Sequence, residues 1–315
     1  MKRYRDYNTY LREIFGERVQ KISLDAGLGC PNRDGTISTE GCIFCDRRGS
    51  GTGAWLNHHL PIKEQMRRGR SYLQRRYHAQ KFIAYFQSFT NTYAPLSHLK
   101  AMYDAALDFE DVVGLSVATR PDCVDRNILE LLSTYRRNYL VCVELGLQSA
   151  HDRTLERINR GHDVSCFEQS INLACEYGVN TCAHIILGLP GENRVMMLET
   201  ARYLSTLPVR AVKIHLLYVV KHTPLADLYE KGGVRPLGQA QYVDLVVDFL
   251  ERLSPDMVIQ RLTGDPVASE LLAPVWAKDK SKNLRLIQEA LERRDTWQGR
   301  RYRGSSIAEC NWEAA

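Results

Sequence analysis

The sequence predicts an α/β fold organised on a parallel sheet, and three observations carry that prediction. β-prone runs and helical segments alternate over roughly 200 residues, the pattern of parallel strands joined by right-handed crossovers. The first such run, Arg18 to Asp25 (RVQKISLD), feeds at its carboxyl end into a loop rich in thiols, and strand ends are where α/β folds place their chemistry. The chain has 315 residues, 44% of them hydrophobic and 25% charged, enough for one large domain or two ordinary ones and typical of a globular protein.

After the first strand and the turn at Ala26 and Gly27 come the thiol loop and then an exposed glycine-rich loop, RRGSGTGAW. Ile62 to Tyr77 reads as a helix dense in arginine (Arg67, Arg68, Arg70, Arg75, Arg76), either a solvated face or a contact for an RNA backbone. Lys81 to Phe89 is an aromatic-rich second strand. The turn TNTYAP leads into a helix with Leu96, Leu99, Met102, Tyr103, Ala106 and Leu107 at helical spacing and Ser97 as its N-cap. Val112 to Ala118, Tyr139 to Leu147, Asn180 to Leu187 and Ala211 to Val219 are the third to sixth strands. Helices at Asn127 to Tyr135, Phe167 to Tyr177 and Met196 to Leu204 separate them.

Beyond Pro224 the pattern changes. An amphipathic helix (Tyr242, Val246, Phe249, Leu250, Leu253) precedes a short strand, Met257 to Leu262, then a helix marked by Leu284, Ile287 and Leu291, then the basic tail WQGRRYRG. The expected organisation is an N-terminal segment (1–17), a core (18–235) and a C-terminal extension (236–315). Six strand–helix units make an incomplete barrel, and pattern alone does not separate that from a doubly wound sheet.

Composition narrows the setting. The longest apolar run, near 214–220, is interrupted by His215 and too short to span a bilayer, and the N-terminus has no apolar core behind its basic residues, so neither a membrane nor a secretory signal is indicated and a cytoplasmic location is expected. Nine cysteines, irregularly spaced, suit free or metal-bound thiols better than a disulfide scaffold. A net charge of +5 permits a nucleic-acid partner without requiring one.

The stretch GCPNRDGTISTEGCIFC, residues 29–45, holds the strongest chemical signal. Cys42 and Cys45 are spaced to chelate one metal centre, and Cys30 reaches it across an eleven-residue loop. With no fourth cysteine nearby, one position stays open, as in a catalytic centre; alternatively His58 or His59 completes a structural zinc site in a non-catalytic, RNA-binding protein. Downstream, Gln148 follows a strand end and Arg160 can present a fork to a carboxylate, although a helix cap and a surface charge explain them equally well. Thr90 and Asn91 offer oxygens after the second strand or simply form a turn, and HIILGLPGE (184–192) is at least a strand-to-helix turn. His215, Tyr218, Lys221 and His222 gather near the expected mouth, while Cys142, between valines in a strand, reads as a small core residue.

Taken together, these motifs resemble the radical S-adenosylmethionine (radical SAM) superfamily, whose C-x-x-x-C-x-Φ-C pattern is matched at Cys42, Phe44 and Cys45 with a lengthened first gap. Over nearly the whole chain the resemblance is to its YhcC family. VELGLQSAHDRTLERINRGHD (143–163) and ATRPDCV (118–124) also resemble segments of the elongator catalytic subunit, which acts on wobble uridine, and the former resembles one of oxygen-independent coproporphyrinogen oxidase. Ala118 stands where the elongator subunit has a glutamate.

The resemblance implies a partial (β/α)6 barrel of the TIM type with a small C-terminal α/β extension. It implies a 4Fe-4S cluster on Cys30, Cys42 and Cys45, and S-adenosyl-L-methionine on the open iron, cleaved reductively to a 5′-deoxyadenosyl radical. Gln148 is expected at the cofactor ribose, Arg160 at its carboxylate, Asn91 at its amino group and the LGLPG segment against adenine. An electron donor such as flavodoxin is implied, and so is a tRNA base as substrate; a porphyrin-like or other small molecule is the alternative.

Overall fold

In the computed structural model, which describes residues 2–49, 59–304 and 310, the chain begins with helix α1 (Tyr7–Phe15) and strand β1 (Val19–Leu24). There follow α2 (Ile62–Tyr77), β2 (Lys81–Phe86), α3 (Leu96–Leu107), β3 (Val112–Thr119), α4 (Arg126–Thr134) and β4 (Leu140–Gln148). The next elements are α5 (Asp152–Arg157), α6 (Val164–Glu176), β5 (Asn180–Leu187), α7 (Arg194–Leu204), β6 (Ala211–Leu216), β7 (Val219–Val220) and α8 (Pro224–Glu230). The chain continues through α9 (Gln239–Leu250), β8 (Val258–Arg261), β9 (Leu271–Ala273) and α10 (Lys280–Arg293). The glycine-rich loop predicted after Cys45 lies largely outside the described residues, as does His58.

The main sheet has the order β1-β2-β3-β4-β5-β6-β8, with every neighbouring pair parallel. The partial barrel is therefore as expected, with one strand more than six. The strand read at Met257 to Leu262 in the C-terminal part extends the sheet by pairing with β6. The expected strand Ala211 to Val219 is divided: β6 stops at Leu216, and β7 leaves to pair antiparallel with β9.

The sheet is curled. Laid flat, β1 and β6 would stand about 24 Å apart, five steps of ~4.8 Å. Yet Lys21 of β1 and Lys213 of β6 both bind Glu144 of β4. At the amino end of the strands the interior is apolar, formed by Val19, Ile83, Leu140, Cys142, Cys182, Ala211 and Val258, and α1 closes it with Tyr10 and Leu11. Cys142 is the core residue expected. The α1 plug has its own local signals: Asp6 accepts from Thr9 N at the N-cap, and Gly16 terminates the helix at φ 73°.

Two details depart from the sequence reading. Helix α3 starts after Pro95 with no side-chain cap, so Ser97 lies inside its first turn; the fixed φ of Pro95 sets the entry instead. Cys175 and Cys310 are joined in a disulfide, Cα–Cα 5.3 Å, so these two thiols are not free. No helix among the described residues is long and apolar enough to cross a membrane.

Candidate active site: a polar cavity capped by three cysteines

One cavity opens at the carboxyl ends of the strands, and Cys30, Cys42 and Cys45 all line it. The loop that presents them is shaped by its own backbone. Arg33 N and Asp34 N donate to Cys30 O (2.8 and 3.2 Å), Ile37 N to Pro31 O (2.8 Å) and Cys45 N to Cys42 O (3.0 Å). It is docked by neighbours: Thr90 N donates to Gly29 O (3.2 Å), Asn159 Nδ2 to Gly41 O (2.7 Å) and Asn32 Nδ2 to Asn159 O (2.7 Å). At Gly41, φ is 75° and a Cβ would meet Arg33 Nε at 2.9 Å, so glycine is favoured there.

The surroundings of the sulfurs suit thiolates on an iron–sulfur cluster. Cys42 Sγ accepts from Arg160 Nη1 (3.5 Å) and Asn32 Nδ2 (3.6 Å), bonds that stabilise a charged sulfur. Arg33 Nη2 donates to Cys45 O (2.7 Å), and the Arg120 guanidinium lies within electrostatic reach of Cys30 and Cys42. Among the described residues, the potential ligand atoms that all fall within 4.8 Å of one another are those of Glu144, Cys182 and His184, not the three sulfurs. A single tetrahedral zinc would need its sulfurs about 4 Å apart, whereas a cuboid cluster spreads them wider. Two ammonium groups already neutralise Glu144, so that trio is an ion-pair network and not a cation site.

Next to the cysteines, the end of β4 supplies the cradle. Gly146 carries no side chain where a Cβ would meet Gln148 Nε2 at 2.6 Å and Arg160 Nη2 at 2.7 Å. Gln148 lines the cavity at φ 75°, a left-handed conformation uncommon outside glycine. Arg160, 6% exposed, spends its fork on Gly146 O through Nε (3.2 Å) and Nη2 (2.8 Å), so it ties the strand end to Cys42. Arg120, 2% exposed, binds Asp122 in bidentate fashion at 2.8 Å, yet its Nη1 is buried without a partner. Asn91 is fully buried but off the cavity lining: Nδ2 donates to Ala118 O (2.9 Å) and its own carbonyl accepts from Tyr103 Oη (2.6 Å), anchoring the turn whose Thr90 does face the cavity.

Deeper, the cavity ends on a charged floor that sequence reading missed. Glu144 is fully buried and bound by Lys21 and Lys213, by Ser116 Oγ and by His184 Nε2 (2.7 Å). Burial pushes the Glu144 carboxyl up, but the two ammonium groups and His184 outweigh it and hold it well below the usual range. Lys21 has further acceptors in Gln260 Oε1 (2.8 Å) and Ser116 Oγ (3.3 Å), while Lys213 has Tyr85 Oη (3.0 Å). Burial brings Lys213 down to about 8, and burial followed by Lys213 brings His184 down to about 4.

Of the residues expected at the mouth, His215 and Tyr218 line the cavity, but Lys221 donates to Ser269 O (3.0 Å) on the surface and His222 is exposed. His184 and Ile186, in β5 just before the LGLPG turn (187–191), reach the lining, whereas no residue of LGLPG itself does; Gly188 and Gly191 adopt φ 95° and 85° there. Lys21 had no local signal. Glu144, His184 and Lys213 did have one, a charged or ionisable residue inside an otherwise apolar strand segment.

Comparison with known proteins accords with this geometry. Residues 27–204 match the radical SAM superfamily profile, and residues 209–293 match the profile of the radical SAM C-terminal domain. Protein YhcC of Escherichia coli (strain K12) is 37% identical over 271 residues, covering 86% of each chain. A tRNA uridine(34) acetyltransferase of Methanocaldococcus infernus is 26% identical over 188 residues, 58% of this chain but 34% of that protein. The structure of archaeal M. infernus Elp3 superposes with a TM-score of 0.71 at 17% identity, covering 89% of this chain and 64% of that one, a likeness of fold. A barrel open at its strand ends, three cysteines on one loop above a polar cavity and these matches lead to one conclusion: the chain is a radical SAM enzyme of the YhcC type, whose family binds a 4Fe-4S cluster and S-adenosylmethionine.

Proposed function

We propose that the enzyme modifies a base of tRNA in the cytoplasm, drawing its electron from a flavodoxin-like donor. The observation that carries the reading is the shared 188-residue region with a protein named for tRNA uridine 34, spanning more than half of this chain. The surface is compatible with a polyanion, though several arginines are already engaged. Arg70 pairs with Asp111, Arg67 and Arg68 share Glu64, and Arg301 pairs with Glu251. Arg75 and Arg303 are exposed.

The cluster and S-adenosylmethionine, held at this site, would supply the radical chemistry for abstracting a hydrogen atom from substrate. The chain's own contribution is placement and exclusion of water. Cys30, Cys42 and Cys45 hold the cluster, and Asn32 and Arg160 steady Cys42 through their N–H groups. We assign Gln148 to the cofactor ribose and the unpartnered Nη1 of Arg120 to its carboxylate, since the fork of Arg160 is committed to Gly146; Asn91 acts by holding Thr90 on the lining.

The test is nucleoside mass spectrometry of tRNA from cells lacking the gene, complemented with the native gene or with Cys42→Ala. One modified nucleoside should change, and only the native gene should restore it. An unchanged profile, together with no salt-sensitive tRNA binding, would favour a small-molecule substrate in the same cavity.

A further inference from the structure

We propose that the floor of the cavity receives an anionic group of the substrate, a carboxylate or a phosphate, gripped by Arg261 and Lys213 with Tyr85 and His215 beside them. This rests on reading the cavity as the substrate chamber of a radical SAM enzyme.

Lys21 and Lys213 both bind one carboxylate, Glu144, and Arg261 adds a third cation on the lining beside Lys213. Both Glu144 oxygens are already engaged, by Lys21 and Ser116 on one and by Lys213 and His184 on the other. Arg261 lies on the cavity lining with no hydrogen bond or ion pair to any described residue. Asp265, the other carboxylate on the lining, is exposed and pairs with Lys280 (2.8 Å). Positive charge in excess within a partly desolvated cavity is costly, and an incoming anion offsets it.

The donors have room for such a group. Lys213 uses two of its three N–H bonds on Glu144 and Tyr85 Oη, leaving one. His215 Nε2 is buried without a partner, its ring 5.3 Å from that of His184. Guanidinium and ammonium groups together match carboxylate and phosphate oxygens. A neutral oxygen could accept from these donors but would leave the positive charge unbalanced. At the cysteine end Arg33 is engaged by Cys45 O and Arg160 by Gly146 O, and the free Nη1 of Arg120 is the one assigned to the cofactor carboxylate, so the floor is a distinct subsite.

The test follows the thermal unfolding midpoint of the anaerobically reconstituted protein with S-adenosylmethionine and no reductant. Sodium acetate and inorganic phosphate are titrated separately at constant ionic strength, with chloride as the control. Saturable stabilisation beyond chloride is expected; acetate alone points to a carboxylate, phosphate alone to a phosphate. Arg261→Gln should weaken that binding by about tenfold or more, the loss of one charge-assisted contact. Arg261→Lys should restore part of it, and Lys100→Gln, a surface cation on α3, should leave it unchanged. Because the Arg261 guanidinium has no partner among the described residues and repels Lys213, the anion-free midpoint of Arg261→Gln should equal or exceed that of the native protein.

Neither anion exceeding chloride, or equal binding by Arg261→Gln, overturns the proposal. No tRNA enters this experiment. An unchanged nucleoside profile would therefore remove the tRNA reading and leave the anion subsite standing.

Discussion

At the rim of the cavity, Cys30, Cys42 and Cys45 share one loop, shaped by hydrogen bonds within residues 30–45 and by a few docking contacts to Thr90 and Asn159. At the floor, Lys21, Tyr85, Ser116, Glu144, His184 and Lys213 come one each from six strands and meet because the sheet curls. The rim can adapt to a bulky inorganic group because a loop wraps it. The floor cannot move without moving the barrel, which makes it suited to fixing one end of a substrate. The rim thus sets what chemistry is possible and the floor where it is aimed.

The comparison breaks most visibly at the rim. Replacing any one of Cys30, Cys42 or Cys45 by Ala should abolish retention of iron and acid-labile sulfide while leaving the circular dichroism spectrum native, since none of the three sits in the barrel sheet. A variant that unfolded instead would show that the loop also supports the fold.

At the floor, Glu144→Gln should destabilise the protein by about 3–5 kcal/mol in urea unfolding, because two buried ammonium groups lose their counter-charge. A change under about 1 kcal/mol would mean that the network is solvated and not structural.

His184 gives a pH signature of the same layer. Its folded value near 4 lies below its ordinary 6.5, so between these values the unfolded chain binds a proton that the folded chain refuses. Stability present above pH 6.5 should fall as the pH drops through that window, by about 3 kcal/mol in full. His184→Gln should flatten the dependence; an unaltered slope would assign it elsewhere.

Where rim and strand end meet, Arg160→Ala should cost about 1–3 kcal/mol by orphaning Gly146 O, and should lower cluster retention without abolishing it. The smallest effect is expected at Ser97→Ala, within about 0.5 kcal/mol, because this serine caps nothing.

The two regions also differ in how far the chain announces them. That the three cysteines form one group was legible because a rare residue type recurs at short spacing within one local window, and the structure places all three on one cavity. The strand and helix sequence was legible through its alternation, and α2 has the bounds read from the sequence, Ile62–Tyr77. The floor as a group was not: Glu144 and Lys213 each stand out as ionisable residues in apolar strands, but they and Lys21 are far apart in sequence and only barrel curvature joins them. Arg120 was likewise hidden, its role depending on an unpartnered nitrogen that no pattern reveals. For Arg160 the residue was visible but its partner was not: the fork that looked free for a ligand closes on Gly146. Helix α1 was missed for a related reason, since its apolar side chains fill the barrel's lower end, which has no local counterpart in residues 1–17.

The central claim is tested most directly by anaerobic reconstitution with iron and sulfide, followed by dithionite and S-adenosylmethionine, measuring 5′-deoxyadenosine. The account predicts its formation by the native protein and none by Cys42→Ala. Native protein that yields no 5′-deoxyadenosine despite carrying about four irons per chain would contradict it.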